Sequence, residues 1–223
     1  MVRGVSTRNY EGVINGYAKK LGVSKSSVSR AFIRASQKDL DALNGADLKN
    51  HGFVAVMIDG VEIAGKTVVA ALGITETLEK IPLGIREGDT ENSEVVKDLL
   101  ASIVDRGFTL HCEKLLAVLD GAKALKKAVK DVFGERVLIQ RCWLHKLRNA
   151  KKYLSKQHHP ELFRRMKKLM KTVRYDDAVK ELQSLIHWAG QLSHETEGSF
   201  EEVGLELLTV HRLGLPRLLR ESL

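Results

Sequence analysis

The sequence predicts an α/β protein in which a mixed sheet flanked by helices is continued by an all-helical region and preceded by a short helix-turn-helix-like segment. Three observations lead there. Between Phe53 and Gln140, apolar runs of strand length alternate with segments of helical period. Beyond Cys142 no run has strand character. The first 38 residues are basic and have helical texture, with a small-residue break at Gly22 and Val23. The expected division is residues 1–45 for the helix-turn-helix-like segment, 50–141 for the α/β core and 142–223 for the helical region.

Within the core, the run from Phe53 to Asp59 and the β-branched run from Thr67 to Ile74 read as strands. Lys80 to Ile85 reads as a third, but Pro82 and Gly84 interrupt it, which suits an edge position. After the turn-like Gly88 to Asn92, the residues Val95, Val96, Leu99, Leu100 and Ile103 recur at helical spacing, with Asn92 as N-cap and Gly107 as stop. Leu115 to Asp120 is a short buried-strand pattern. Leu125, Ala128, Val129, Val132 and Phe133 mark a helix ended by Gly134, and Arg136 to Gln140 is the next strand. From Leu147 to Ile186 the apolar residues fit a succession of helices.

Composition narrows the function. The chain has 223 residues, 43% of them hydrophobic, enough for one α/β domain and a smaller appendage. With 36 Lys and Arg against 28 Asp and Glu, its net charge of +8 favours a polyanionic partner. Basic residues dominate positions 1–38 and 121–180, and acidic ones dominate 39–120 and 181–223. That layout suits an acidic site framed by basic surfaces. Only Cys112 and Cys142 are present, with no disulfide framework, so a reducing cytoplasm fits. No run is apolar enough for a secretory signal or a membrane span, and a cytoplasmic, nucleoid-associated protein is expected.

The chemistry-bearing signal is an aspartate that closes each of two strand patterns, followed each time by glycine: Asp59 with Gly60, and Asp120 with Gly121. Carboxylates at the ends of neighbouring strands can bridge divalent cations, as phosphoryl transfer requires. Asp-Gly is equally a turn dipeptide, and spacing alone leaves both readings open.

The stretches MIDGVEIAGKTVVAALGI, GDTENSEVVKDLL, LLAVLDGAKALKKAVKDVFGE, RCWLHK and TVHRLGLPRLLRESL resemble the mutator-type insertion-sequence transposases of bacteria and archaea, and together they span most of the chain from Asp59 onward. The resemblance implies an RNase H-like core on which Asp59 and Asp120 are the first two members of an Asp-Asp-Glu triad. It further implies Mg²⁺ or Mn²⁺ as cofactor, double-stranded DNA of element ends and targets as partner, a homo-oligomer at full length, and strand cleavage and transfer as activity. The family's Glu follows the stretch resembling HRLGLPRLLRESL, beyond Leu223, so residues 1–223 alone are expected to lack the third carboxylate and to be inactive. Glu195, Glu197, Glu201, Glu202 and Glu206 precede the matching position.

The same resemblance covers Cys142 and His145 as a Cys-x-x-His motif supporting the active site. Their spacing places both on one face of a helix. Two ligands make only half of a tetrahedral zinc site, and the other reading is a packed, hydrogen-bonded pair. Next to the motif, Lys146, Arg148, Lys151, Lys152 and Lys156 lie in one basic stretch, with a second at Arg164, Arg165, Lys167, Lys168 and Lys171; both suit phosphate contacts or a solvated helix face. In the N-terminal segment, Ser24 caps a second helix from Lys25. It offers Ser26, Ser27, Ser29 and Arg30 to DNA, with Lys19, Lys20 and Lys25 on phosphates. Two other readings stand beside the transposase. One is a non-catalytic DNA-binding remnant of a decayed element. The other is a host RNase H-like nuclease, which needs a third acidic residue within the chain.

Overall fold

A computed structural model describes residues 37–63, 66–215 and 220. Residues 1–36 of the expected helix-turn-helix-like segment, 1–45, lie outside the described residues, and with them Lys19, Lys20, Lys25, Ser26, Ser27, Ser29 and Arg30.

The centre is a six-stranded mixed sheet. Strands β1 (Gly52–Ile63), β2 (Lys66–Thr75) and β3 (Lys80–Glu87) form an antiparallel meander. On the other side of β1 run β5 (Leu115–Leu119) and β6 (Val137–Arg141), parallel to it and to each other, so the order is β3-β2-β1-β5-β6. The two-residue β4 (Thr109–Leu110) pairs with the start of β1. β3 occupies the expected edge, and its pairing with β2 slips where Ala71 faces Gly84 and Leu72 faces Pro82. Proline cannot donate to a ladder, so the edge is where the irregularity is tolerated.

The structure departs from the sequence reading at Asp59. Asp59 does not close its strand, because β1 continues to Ile63 in register with β2. What ends beside Asp59 is the parallel ladder with β5, whose last pair is Ile58 and Leu119. Antiparallel pairing with β2 tolerates the polar residues that interrupt the apolar pattern, whereas the buried parallel ladder stops with it.

Helices α1 (Ser93–Asp105) and α2 (Lys123–Phe133) cover one face. Asn92 caps α1 by accepting from the amides of Glu94 and Val95, and the chain leaves through Gly107 at φ +90°. Val96, Leu99, Leu100 and Ile103 of α1 and Leu125, Ala128 and Val129 of α2 join Phe53, Ile58, Leu83 and Leu119 in the main core. Each Val, Leu, Ile or Phe side chain among them contributes about 1.5–3 kcal/mol through burial. The helical residues 37–45 are tied on by Arg106, which donates to the carbonyls of Leu43, Ala46 and Leu83, and by Asn44, which accepts from the Ile85 amide.

After β6 come α3 (Trp143–Lys152), α4 (His159–Lys171), α5 (Tyr175–Gly190), α6 (His194–Val203) and the short α7 (Thr209–Arg212). They enclose a second core of Trp143, Leu162, Met166, Leu169, Leu182, Leu185, Phe200 and Leu207. Val210 of α7 packs instead with Ala55, Ile74 and Leu116 of the sheet. Gln140 fixes this junction, donating to the Leu207 carbonyl and accepting from the Val210 amide at 3.0 Å.

Leu99→Ala is expected to lower the unfolding free energy by about 2–5 kcal/mol through the cavity it leaves. Asn92→Ala removes only the α1 cap and should cost about 1 kcal/mol. Urea titrations of the two variants check the order, and an equal or reversed cost would contradict this account of the helix.

Candidate active site

Parallel pairing brings the two aspartates to the carboxyl-end edge of the sheet, on its interior strands β1 and β5. Asp59 follows the last β1–β5 pair on one strand, and Asp120 follows it on the other. The Asp120 carboxylate is held on both sides. Its Oδ1 accepts from the Ala122 amide at 2.8 Å, and the Thr90 hydroxyl lies 3.3 Å from its Oδ2. The first contact is an Asx turn, which Gly121 permits by taking φ +121°. Asp120 is therefore a turn residue as well as a candidate ligand.

Asp59 sits in the opposite state. Its Oδ1 is buried without a hydrogen-bond partner. Burial pushes its pKa up; the His145 ring opposes this, the Asp120 charge adds to it, and the Gly60 amide and Arg148 oppose it, leaving the pKa raised. A carboxylate short of donors and facing a second carboxylate is the electrostatic condition that a cation relieves.

Helix α3 starts at the same edge. Cys142 continues the ladder by donating its amide to the Leu119 carbonyl at 2.7 Å, and it then stands as the N-cap residue. One turn on, His145 brings Nε2 to 3.5 Å from Asp59 Oδ1, an ion-pair distance without hydrogen-bond alignment. His145 thus lies beside Asp59, and its Nδ1 is buried without a partner.

The expected phosphate contacts divide. Arg148 and Lys152 are exposed, Lys151 is half-buried, and Arg148 is near enough to act on Asp59. Lys146 departs from the expectation. Its side chain is 4% exposed, and its ammonium donates to the carbonyl and hydroxyl of Ser199 on α6. Trp143, Lys146 and Ala150 form the buried stripe of α3, so the seven-residue spacing of Trp143 and Ala150 was the signal that Lys146 faces inward. Part of the second basic stretch is neutralised within the helical region. Glu161 pairs with Arg164 and Arg165, and Glu181 pairs with Lys168.

Residues that sequence reasoning missed complete the setting. Thr90 is buried in the turn before α1, where only turn character was legible. Arg141 closes β6 as the register partner of Leu119, and its guanidinium is paired with Glu202. Among the described residues, no group of three or more His, Cys, Asp or Glu could hold a metal ion. No helix among them is long and apolar enough to cross a membrane.

A mixed α/β core with two carboxylates at one sheet edge, one of them short of donors, is an arrangement suited to holding a divalent cation. The chain matches the family model described as "Transposase, Mutator family" over residues 1–212, and it belongs to that family. A comparison with curated proteins returned no match.

Burial drives the Lys146 pKa down to about 8; Glu202 acts to raise it and Arg141 to lower it. Below that value the ammonium is charged in both folded and unfolded chains, and its burial cost is fully present. Between about 8 and the ordinary lysine value of 10.5 only the unfolded chain keeps the extra proton. Stability should therefore rise with pH across that window relative to Lys146→Met, by roughly 3 kcal/mol. Chemical denaturation of both proteins from pH 7 to 10.5 measures the difference, and a flat difference would contradict the burial of a titrating ammonium.

Proposed function

We propose that this member of the Mutator transposase family carries two of the metal-binding carboxylates of an RNase H-like strand-transfer site, Asp59 and Asp120, and that it acts on double-stranded DNA. The observation that carries the reading is the convergence of the two aspartates at the end of the β1–β5 ladder, where one Asp59 oxygen is buried without a hydrogen bond and the pKa is raised. The antiparallel meander continued by parallel strands supports an RNase H-like core.

Asp59 and Asp120 would hold Mg²⁺ or Mn²⁺, oxygen-seeking ions that suit carboxylates. When bound, such an ion polarises the scissile phosphate and acidifies the attacking water or 3′ hydroxyl. The chain's own residues supply the placement. Thr90 and the Ala122 amide fix the direction of the Asp120 carboxylate. His145, when protonated, offsets the Asp59 charge while no ion is there. Arg148, Lys151 and Lys152 of α3 attract the DNA backbone toward the same edge, with the N-terminal segment as the second basic surface. Cys142 starts α3 where His145 can reach the aspartates.

A second reading, DNA binding without catalysis, draws support from one observation. Among the described residues no third carboxylate joins the two aspartates. Two carboxylates bind one ion loosely. Residues 1–223 assayed alone should therefore bind duplex DNA, with affinity falling steeply as salt rises through counterion release. They should not nick a labelled duplex spanning the element boundary in Mg²⁺ or Mn²⁺. Asp120-dependent cleavage by these residues would contradict the incomplete site and show that an internal glutamate completes it. Salt-insensitive DNA binding, or none, would contradict the assigned substrate.

A further inference from the structure

We propose that Arg141 is a positioning residue for Asp120, and that Glu202 of α6 holds it there, so that the helical region sets the geometry of the aspartate edge. The inference rests on the reading of Asp59 and Asp120 as a cation site.

The guanidinium of Arg141 lies directly against the turn that aims Asp120. A Cβ on Gly121 would come within 2.0 Å of Arg141 Nη2 and 2.6 Å of its Cζ, so the position accommodates no side chain while the arginine is in place. That contact is close because Arg141 is the register partner of Leu119, the residue before Asp120. The arginine side chain is only 11% exposed, and it is bound by both carboxylate oxygens of Glu202, at 2.9 and 3.2 Å. Such two-point pairing fixes the guanidinium plane as well as its position. Its Nε is buried with no acceptor, so the placement is not what would best satisfy the arginine's own hydrogen bonds.

The other end of the clamp is also fixed. Ser199 and Glu202 stand one turn apart on α6. Ser199 receives the buried Lys146 ammonium, which comes to 3.9 Å from the second Glu202 oxygen. Burial acts to raise the Glu202 carboxyl, but its hydrogen bonds with Arg141 and the charges of Arg141, Lys146 and Lys126 outweigh this and hold it below its ordinary value. A separate tie joins Lys126, in the helix that follows the Asp120 turn, to Glu206 just after α6. Both flanks of the turn are thus fastened to residues 199–206. With the turn immobilised, the Asp120 carboxylate keeps its contacts with the Ala122 amide and Thr90 and faces Asp59 in one orientation.

The test uses the full chain with Mn²⁺ as probe, followed by the electron paramagnetic resonance of free ion, together with hydrogen exchange at the Ala122 amide. Glu202→Gln keeps the shape of a half-exposed side chain, and thermal melts report whether each variant folds. Arg141→Met and Glu202→Gln should each weaken Mn²⁺ binding about 10- to 100-fold, on the scale of supporting residues around metal ligands, and speed Ala122 exchange. Arg141→Lys should fail to rescue, because an ammonium lacks the two-point plane. Exchanging the pair, Arg141→Glu with Glu202→Arg, should recover the melting temperature and leave Mn²⁺ binding weak. Wild-type Mn²⁺ affinity and Ala122 exchange in Arg141→Met, alongside loss of binding in Asp120→Asn, would overturn the clamp and leave the cation site standing. Recovery of Mn²⁺ affinity in the exchanged pair would reduce it to a tether and overturn it too. Unchanged Mn²⁺ affinity in Asp120→Asn would instead remove the cation site itself, and the clamp's role with it.

Discussion

Everything at the candidate site depends on the parallel pairing of β1 with β5. Strand β5 is buried along its whole length, so its register against β1 is set by core packing, where a slip of one residue would turn its side chains to the wrong face. That register makes Ile58 and Leu119 the last pair and leaves one aspartate beyond it on each strand. Two carboxylates are thereby held together by the hydrophobic core of the sheet and not by any attraction of their own. The raised pKa of Asp59, with burial and the Asp120 charge both acting in that direction, is the electrostatic cost of that placement.

The helical region works on the same edge. It begins at Cys142, directly off β6, and it returns through α6 and residues 204–208 to contact β6 and α2. Its core is separate from that of the sheet, but its polar contacts converge on the last residues of β6. Gln140 is buried and satisfied from both sides by the returning backbone. A buried amide whose donor and acceptor are both used specifies one docking geometry more strictly than apolar contact does. The helical region is in this sense a brace for the sheet edge as well as a carrier of basic residues.

Most of the core was legible because its elements announce themselves by period. The β-branched run of β2, the unbroken apolar run of β5 and the 3- and 4-residue spacing of α1 and α2 each admit one reading, and Asn92 and Gly107 mark the ends of α1. The extension of β1 past Asp59 was not legible, since Asp59, Gly60 and Glu62 break the apolar pattern and only pairing with β2 keeps them extended. The two-residue β4 is too short to carry a period. At the site, the ends of the two apolar runs marked Asp59 and Asp120 but left the turn reading open, and the family resemblance decided for them and for His145. Thr90, Arg141 and Glu202 act through contacts 30 and 61 positions apart in the chain, for which local pattern holds no signal. Lys146 was hidden by its charged neighbours, although the helical spacing of Trp143 and Ala150 already placed it inside.

The central claim is that Asp59 and Asp120 act together on one divalent cation. Calorimetric titration of Mn²⁺ into the wild-type chain, Asp59→Asn, Asp120→Asn and the double variant measures that coupling directly. Each single substitution is expected to remove nearly all of the binding, so that the double variant loses little more than either alone. Losses that add independently, or Mn²⁺ affinity that survives in both single variants, would contradict a shared site.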